Sequence, residues 1–204
     1  VARGADFGPD GLLKNDRLHL DRTGAEALVT GLADTRYDVR SVEAKPYRRS
    51  PYAPFRTTTL QQEASRKLGM SAAGAMSVAQ RLYENGFITY MRTDSSTLSG
   101  AAIEAAREQV RELYGAEYLP DTPRLYTKKV ANAQEAHEAI RPAGERFRTP
   151  AQTGLTGEQF RLYELIWMRT VASQMKDAVG QSVSLRLGGA ASTGEDVVFS
   201  ASGR

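Results

Sequence analysis

Apolar positions recur at helical spacing through the middle of the chain and alternate with polar positions toward its ends. Over Ala72–Glu84, and again over Ala101–Tyr114, where Ile103, Ala106, Val110 and Leu113 form a stripe, the spacing predicts amphipathic helices. Asn85-Gly86 and Gly115 supply their stops. The capping-box spacing of Thr23 with Glu26, Thr59 with Gln62, Asn132 with Glu135 and Thr156 with Gln159 predicts four further helix starts. Those helices end near Leu32, at Leu68-Gly69, at Ile140 before Arg141-Pro142, and near Lys176. In the last of them, 157–176, Phe160, Leu162, Tyr163, Ile166, Trp167 and Val171 go nearly all round, as in a buried helix rather than a stacking platform.

Strand signals flank this helical centre. Tyr37 to Tyr47 alternates loosely, and Val183, Leu185 and Leu187 alternate with Ser184 and Arg186. Val197, Phe199 and Ala201 then return through a Gly188–Gly194 loop as a hairpin. Ser50–Pro54 and Pro142–Thr156 are the connections. The fold class expected is mixed α and β, with a helical domain inserted in a discontinuous β-containing one. Residues 1–56 form the first part of the β-containing domain, 57–149 the insertion, and 150–204 the return segment, a long helix plus a β-hairpin.

Composition narrows the chemistry. With no cysteine there is no thiolate zinc site, Cys nucleophile or disulfide framework, which suits a reducing cytoplasm. No apolar run is long enough to span a membrane, and no membrane partner is expected. Starting at Val1 and ending just after an apolar alternation, the chain reads as part of a longer protein. The formal charge is +3, but Arg36–Lys67 holds Arg36, Arg40, Lys45, Arg48, Arg49, Arg56, Arg66 and Lys67 against Asp38, Glu43 and Glu63. Tyr37, Tyr47, Tyr52 and Phe55 lie among these cations, a mixture suited to phosphate contact and base stacking, or to a solvated basic strand edge.

The segment Gly86–Ser95, GFITYMRTDS, follows the helix that ends at Asn85 and reads as a short strand. Ile88, Tyr90 and Arg92 then share one side, Thr89 and Met91 the other. A tyrosyl oxygen attacks phosphorus to give a phosphotyrosine, and a guanidinium beside it holds the phosphate oxygens. A free phenol titrates at about 10 and needs such a neighbour; Arg92 cannot act as a base because it stays protonated. Gln80, Tyr83 and Glu84, three and four apart, share a helical face just upstream. His137 and Arg141 are four apart at the end of the helix expected over 133–140.

GFITYMRTDS resembles the active-site segment of type IA DNA topoisomerases of the bacterial topoisomerase I type. PYAPFRTTTLQQEASRKLG within 46–69, AQRLYENG at 79–86, AHEAIRP at 136–142 and LYELIWMRTVASQM at 162–175 agree with the same family in the same order. The resemblance implies that Tyr90 is the nucleophile and Arg92 its phosphate-binding partner. It implies DNA contacts by Gln80, Tyr83, Glu84, His137, Arg141, Arg66, Lys67, Arg48 and Arg49, with Glu84 also ordering Arg92. One departure is Ser71–Met76, which has no cation where family members often carry a lysine. The β-containing domain would be the family's arch. Single-stranded and negatively supercoiled DNA would be the partners, together with the remaining domains of the same enzyme, in a cytoplasmic, nucleoid-associated protein.

In this family Mg2+ is held by carboxylates of a separate toprim domain. No Asp-x-Asp pair or comparable acidic cluster occurs in the chain, so no metal ligand is assigned to it and the chain by itself is expected to be inactive. Absence of a Walker A loop fits an ATP-independent transesterase. A non-catalytic module that binds single-stranded nucleic acid is the alternative. Tyrosine recombinases and type IB topoisomerases place His and Arg three apart and the tyrosine after them, unlike His137, Arg141 and Tyr90.

Overall fold

The computed structural model describes residues 6–14, 20–126 and 138–204. Two compact units emerge, Val1–Tyr47 with Val179–Arg204, and Arg48–Ala178. Among the described residues there are five α-helices and one three-stranded sheet, a mixed α and β fold. No described helix is long and apolar enough to cross a membrane.

The first unit holds α1 (Arg22–Gly31) and the sheet β1 (Asp38–Arg49), β2 (Ala178–Ala190), β3 (Asp196–Gly203), in that order. The β2–β3 hairpin is antiparallel, with Val183 opposite Gly203 and Ala190 opposite Asp196. Its turn is shorter than the expected Gly188–Gly194 loop, because Gly188 and Gly189 belong to β2. The Arg40 side chain lies over Gly188, and Thr35 and Tyr37 crowd Gly189, where a Cβ would collide. Gly180 against Tyr47 and Gly188 against Arg40 show that β1 runs antiparallel to β2. Asp21 rather than Thr23 caps α1, its carboxylate accepting the Gly24 N–H at 2.7 Å.

The second unit packs α2 (Thr57–Leu68), α3 (Ala72–Glu84), α4 (Gly100–Leu113) and α5 (Gly157–Ser173) around one apolar core. Phe55, Leu60, Leu82, Ile88, Met91, Val110, Ile140, Leu162 and Ile166 are each almost wholly buried in it. Burying such a side chain stabilises by about 1.5–3 kcal/mol, and truncating Ile166 to Ala costs about 2–5 kcal/mol. α5, assigned from sequence to the return segment beyond 150, instead packs on α2, α3 and α4. Its broad apolar surface requires packing neighbours on several sides, and α2, α3 and α4 supply them. Trp167 is buried there and donates to Gln109 at 3.1 Å.

The ends of α3 fall where expected, with Ser71 capping Gly74 N–H at 3.0 Å and Gly86 leaving the helix at φ +70°. α2 starts two residues before the expected Thr59 cap. The Thr57 N–H, otherwise an orphan of the first turn, donates to Thr93 O at 2.9 Å, while Thr59 bonds back to the Arg56 N–H at 3.1 Å. The helix expected over 133–140 lies mostly outside the described residues. Its last part is extended, since Ile140 bridges Phe55 and donates to its carbonyl at 2.8 Å.

Candidate functional site

Gly86–Ser99 crosses from α3 to α4 without regular secondary structure, apart from a single bridge between Ile88 and Pro142. The strand expected here does not form, and the side chains do not alternate. Ile88 and Met91 are buried, whereas Tyr90, 48% exposed, and Arg92 face solvent. Ile88 therefore does not share the side of Tyr90 and Arg92. Two buried anchors one turn apart serve the core while the residues next to Met91 stay outside.

Hydrogen bonds fix this segment at both ends. Thr89 N–H donates to Arg141 O at 2.9 Å, its hydroxyl donates to Ala139 O at 2.8 Å and accepts the Arg141 N–H at 3.0 Å. Two residues on, Thr57 binds the carbonyl of Met91 and both backbone groups of Thr93. Between these supports Arg92 opens on a cleft lined by Arg56, Thr57, Thr58, Thr93 and Asp94. Among the described residues neither Arg92 nor the Arg56 guanidinium has an ion-pair partner. Two cations and one carboxylate around an open, hydroxyl-rich cleft form a surface on which an anion such as a phosphodiester can bind.

The helical face read from sequence sits beside the tyrosine. Tyr83 packs on Tyr90 edge to face, centroids 5.3 Å apart. Gln80 donates to Glu84 at 2.6 Å, so the carboxylate expected to order Arg92 is engaged on its own helix. No ion pair links Glu84 to Arg92 among the described residues. Tyr163 contrasts with Tyr90: it is buried, donates to Arg148 O at 2.6 Å, and burial pushes its phenol up to about 12.

The other cations are placed differently. Arg66 and Lys67 lie in the last turn of α2, roughly 15 Å along the helix from Arg56 at 1.5 Å per residue. Arg66 binds Glu63 through two bonds of 3.0 Å, and Lys67 and Arg169 both lie 3.4 Å from the same carboxylate. The Arg66 hydrogen bond is the main cause holding the Glu63 carboxyl below its usual range. Arg48 pairs with Asp177 at 3.1 Å, and Arg49 donates to the Tyr52 hydroxyl at 2.9 Å with its guanidinium over that ring.

Arg141 is buried. It grips both Glu138 oxygens at 2.9 Å and donates to Pro142 O and Gly144 O, leaving little of its fork for a ligand. In this arrangement it braces the strap to which Thr89 is tied. His137 lies outside the described residues. Sequence reasoning counted Arg56 only within a basic run and passed over Thr57 and Thr89; nothing local distinguishes those threonines from other polar residues.

A family model described as DNA topoisomerase matches residues 10–204. DNA topoisomerase 1 of Streptomyces coelicolor is 70% identical over 205 residues, which is 100% of this chain and 22% of that protein. The Mycolicibacterium smegmatis protein of the same name is 63% identical over 208 residues, again 100% of this chain and 22% of its own length. Full-length topoisomerase I from Thermotoga maritima superposes with a TM-score of 0.68 at 36% identity, over 93% of this chain and 30% of that one. The chain thus spans about a fifth of the length of the relatives it matches. By this match along nearly its whole length, the chain belongs to the type IA DNA topoisomerases of the bacterial topoisomerase I type.

Proposed function

We propose that this chain is the tyrosine-bearing part of a type IA DNA topoisomerase, which cleaves and reseals one DNA strand to relax negative supercoils. The observation that carries the reading is the exposed Tyr90, two residues from an exposed Arg92 that has no ion-pair partner among the described residues, on a segment whose neighbours Ile88 and Met91 are buried. Tyr90 Oη attacks the scissile phosphorus, and the bond to the 3′ oxygen breaks. The DNA keeps a 5′-phosphotyrosine link to the protein, and the departing 3′ oxygen takes up a proton in place of the one the phenol loses. Resealing runs the same exchange backward, so the bond energy stays in the phosphotyrosine. Arg92 holds the non-bridging oxygens and offsets charge that builds on them in the transition state.

The helical unit corresponds, on this reading, to a domain inserted in the β-containing arch, and the rest of the enzyme supplies the other half of the site in the bacterial cytoplasm and nucleoid. Magnesium in the full enzyme would have its ligands there. No three His, Asp or Glu side chains converge on a common point among the described residues, a donor set that does not fit a magnesium site. On this reading the chain by itself supplies a nucleophile and a phosphate grip, and a magnesium-dependent relaxation assay on it is expected to show no turnover.

The test is covalent trapping in the full-length enzyme. Wild type forms a denaturant-resistant adduct with single-stranded DNA, and Tyr90→Phe forms none while binding DNA normally. Binding without any adduct in the wild type means a non-catalytic binding module, and an adduct in Tyr90→Phe moves the nucleophile elsewhere.

A further inference from the structure

We propose that Thr57 is a positioning residue for strand cleavage, holding Arg92 in register with Tyr90; the inference rests on the reading of Tyr90 as the nucleophile. From Tyr90 to Thr93 the backbone belongs to no helix or strand, so its polar groups must find partners elsewhere. Thr57 supplies them on both sides of Arg92. Its hydroxyl donates to Met91 O at 2.8 Å, with Thr93 O also within reach at 3.0 Å, and accepts the Thr93 N–H at 2.9 Å. Its own N–H donates to Thr93 O at 2.9 Å. With the residue before and the residue after both tied to one side chain, Arg92 has little freedom to swivel about its own backbone.

Thr57 is itself well founded. It is the first residue of α2, between the fully buried Phe55 and Leu60, and it is partly buried. Thr89 performs the matching task on the other side of Tyr90, tied to Ala139 and Arg141. The Tyr90–Arg92 segment is thus suspended between two threonines, and its outward side chains keep a fixed spacing although they add little to the core. Fixed spacing matters for the proposed chemistry because nucleophile and phosphate-binding group must meet one phosphate together. The same helix start presents Arg56 to the Arg92 cleft, so the support and the cations share one rigid element.

The experiment compares Thr57→Val, which keeps shape and loses the hydroxyl, with Thr57→Ser, which keeps the hydroxyl, in full-length enzyme under single-turnover conditions. A displacement of about 1 Å at a reacting group slows chemistry by up to about a hundredfold. Thr57→Val is expected to lower the cleavage rate constant by roughly ten- to a hundredfold, with unchanged amplitude and unchanged affinity for single-stranded DNA, and Thr57→Ser to recover most of the rate. A purely structural role would lower the amplitude, through fewer folded molecules, and leave the rate constant of the folded ones intact; that result overturns the proposal, as does a wild-type rate in Thr57→Val. Tyr90→Phe run in parallel separates the two levels. If it still forms an adduct, the nucleophile assignment fails and the positioning role with it; if it forms none while Thr57→Val cleaves normally, only the positioning role fails.

Discussion

Tyr83, in the last turn of α3, meets Tyr90 edge to face, with ring centroids 5.3 Å apart and planes inclined by 69°. Both rings are about half exposed, so the contact restricts where the Tyr90 ring points without enclosing it. Such a pair is worth about 0.5–1.5 kcal/mol beyond area burial, up to roughly tenfold in a rate if the contact persists in the transition state. Tyr83→Ala should therefore slow single-turnover cleavage by up to about tenfold, and Tyr83→Phe, which keeps the ring, should retain most of the rate. If Phe is as slow as Ala, the Tyr83 hydroxyl touches DNA instead.

Charge and shape can be separated at Arg92. Its guanidinium has no ion-pair partner among the described residues and opens on the cleft shared with Arg56, so both of its edges are available to a phosphate. Losing a transition-state contact of this kind costs on the order of 3 kcal/mol, and Arg92→Lys should cleave about a hundredfold more slowly while binding single-stranded DNA nearly normally. Near-wild-type cleavage by the lysine variant would show that a point charge suffices.

The basic run is not uniform in availability. Arg48 already faces Asp177 at 3.1 Å, whereas Arg49 is held over Tyr52 with its charge uncompensated by any carboxylate among the described residues. Arg49→Ala should reduce the salt slope of single-stranded DNA binding by about 0.7, the value for one phosphate contact, and Arg48→Ala should change it less. Titration at several salt concentrations measures this directly; an unchanged slope for Arg49→Ala removes it from the DNA path.

Burial works to raise the Glu138 carboxyl, but its hydrogen bonds with Arg141 and Ser99 outweigh that effect and leave it below the usual range. A carboxylate depressed on folding stabilises the fold fully above its unfolded value, about 4.3, and that contribution is lost as pH falls through the depressed value. Glu138→Gln should lower stability by on the order of 2 kcal/mol at neutral pH, because it leaves the buried Arg141 without its counter-charge. It should also flatten the stability profile on the acid side. Denaturant unfolding at pH 7 and at a series of values from pH 4 downward checks both; a variant whose loss stays the same across the whole series excludes the linkage.

The start and stop of α3, the stop of α4 and the β2–β3 hairpin were legible in the sequence because each depends on neighbours a few residues apart. Ser71, Asn85 and Gly86 act through bonds to their own helix. The β2–β3 register follows from a short turn in which Gly194 takes φ +100°. Where partners lie far along the chain, the sequence misled: α2 starts at Thr57 because Thr93 waits for its N–H, Gly188 is a strand residue because Arg40 crosses it, and α5 joins the helices because its apolar surface needs them. The string around Tyr90 alternates on paper yet forms no strand: among the described residues its pairing with 141–143 stops at Thr89, and buried Ile88 and Met91 set its path. Tertiary contacts likewise decided which cations are free. Charge is written in the sequence, but whether Arg66 faces Glu63, Arg141 faces Glu138 or Arg92 faces an open cleft depends on carboxylates and surfaces that only folding brings within a few ångströms.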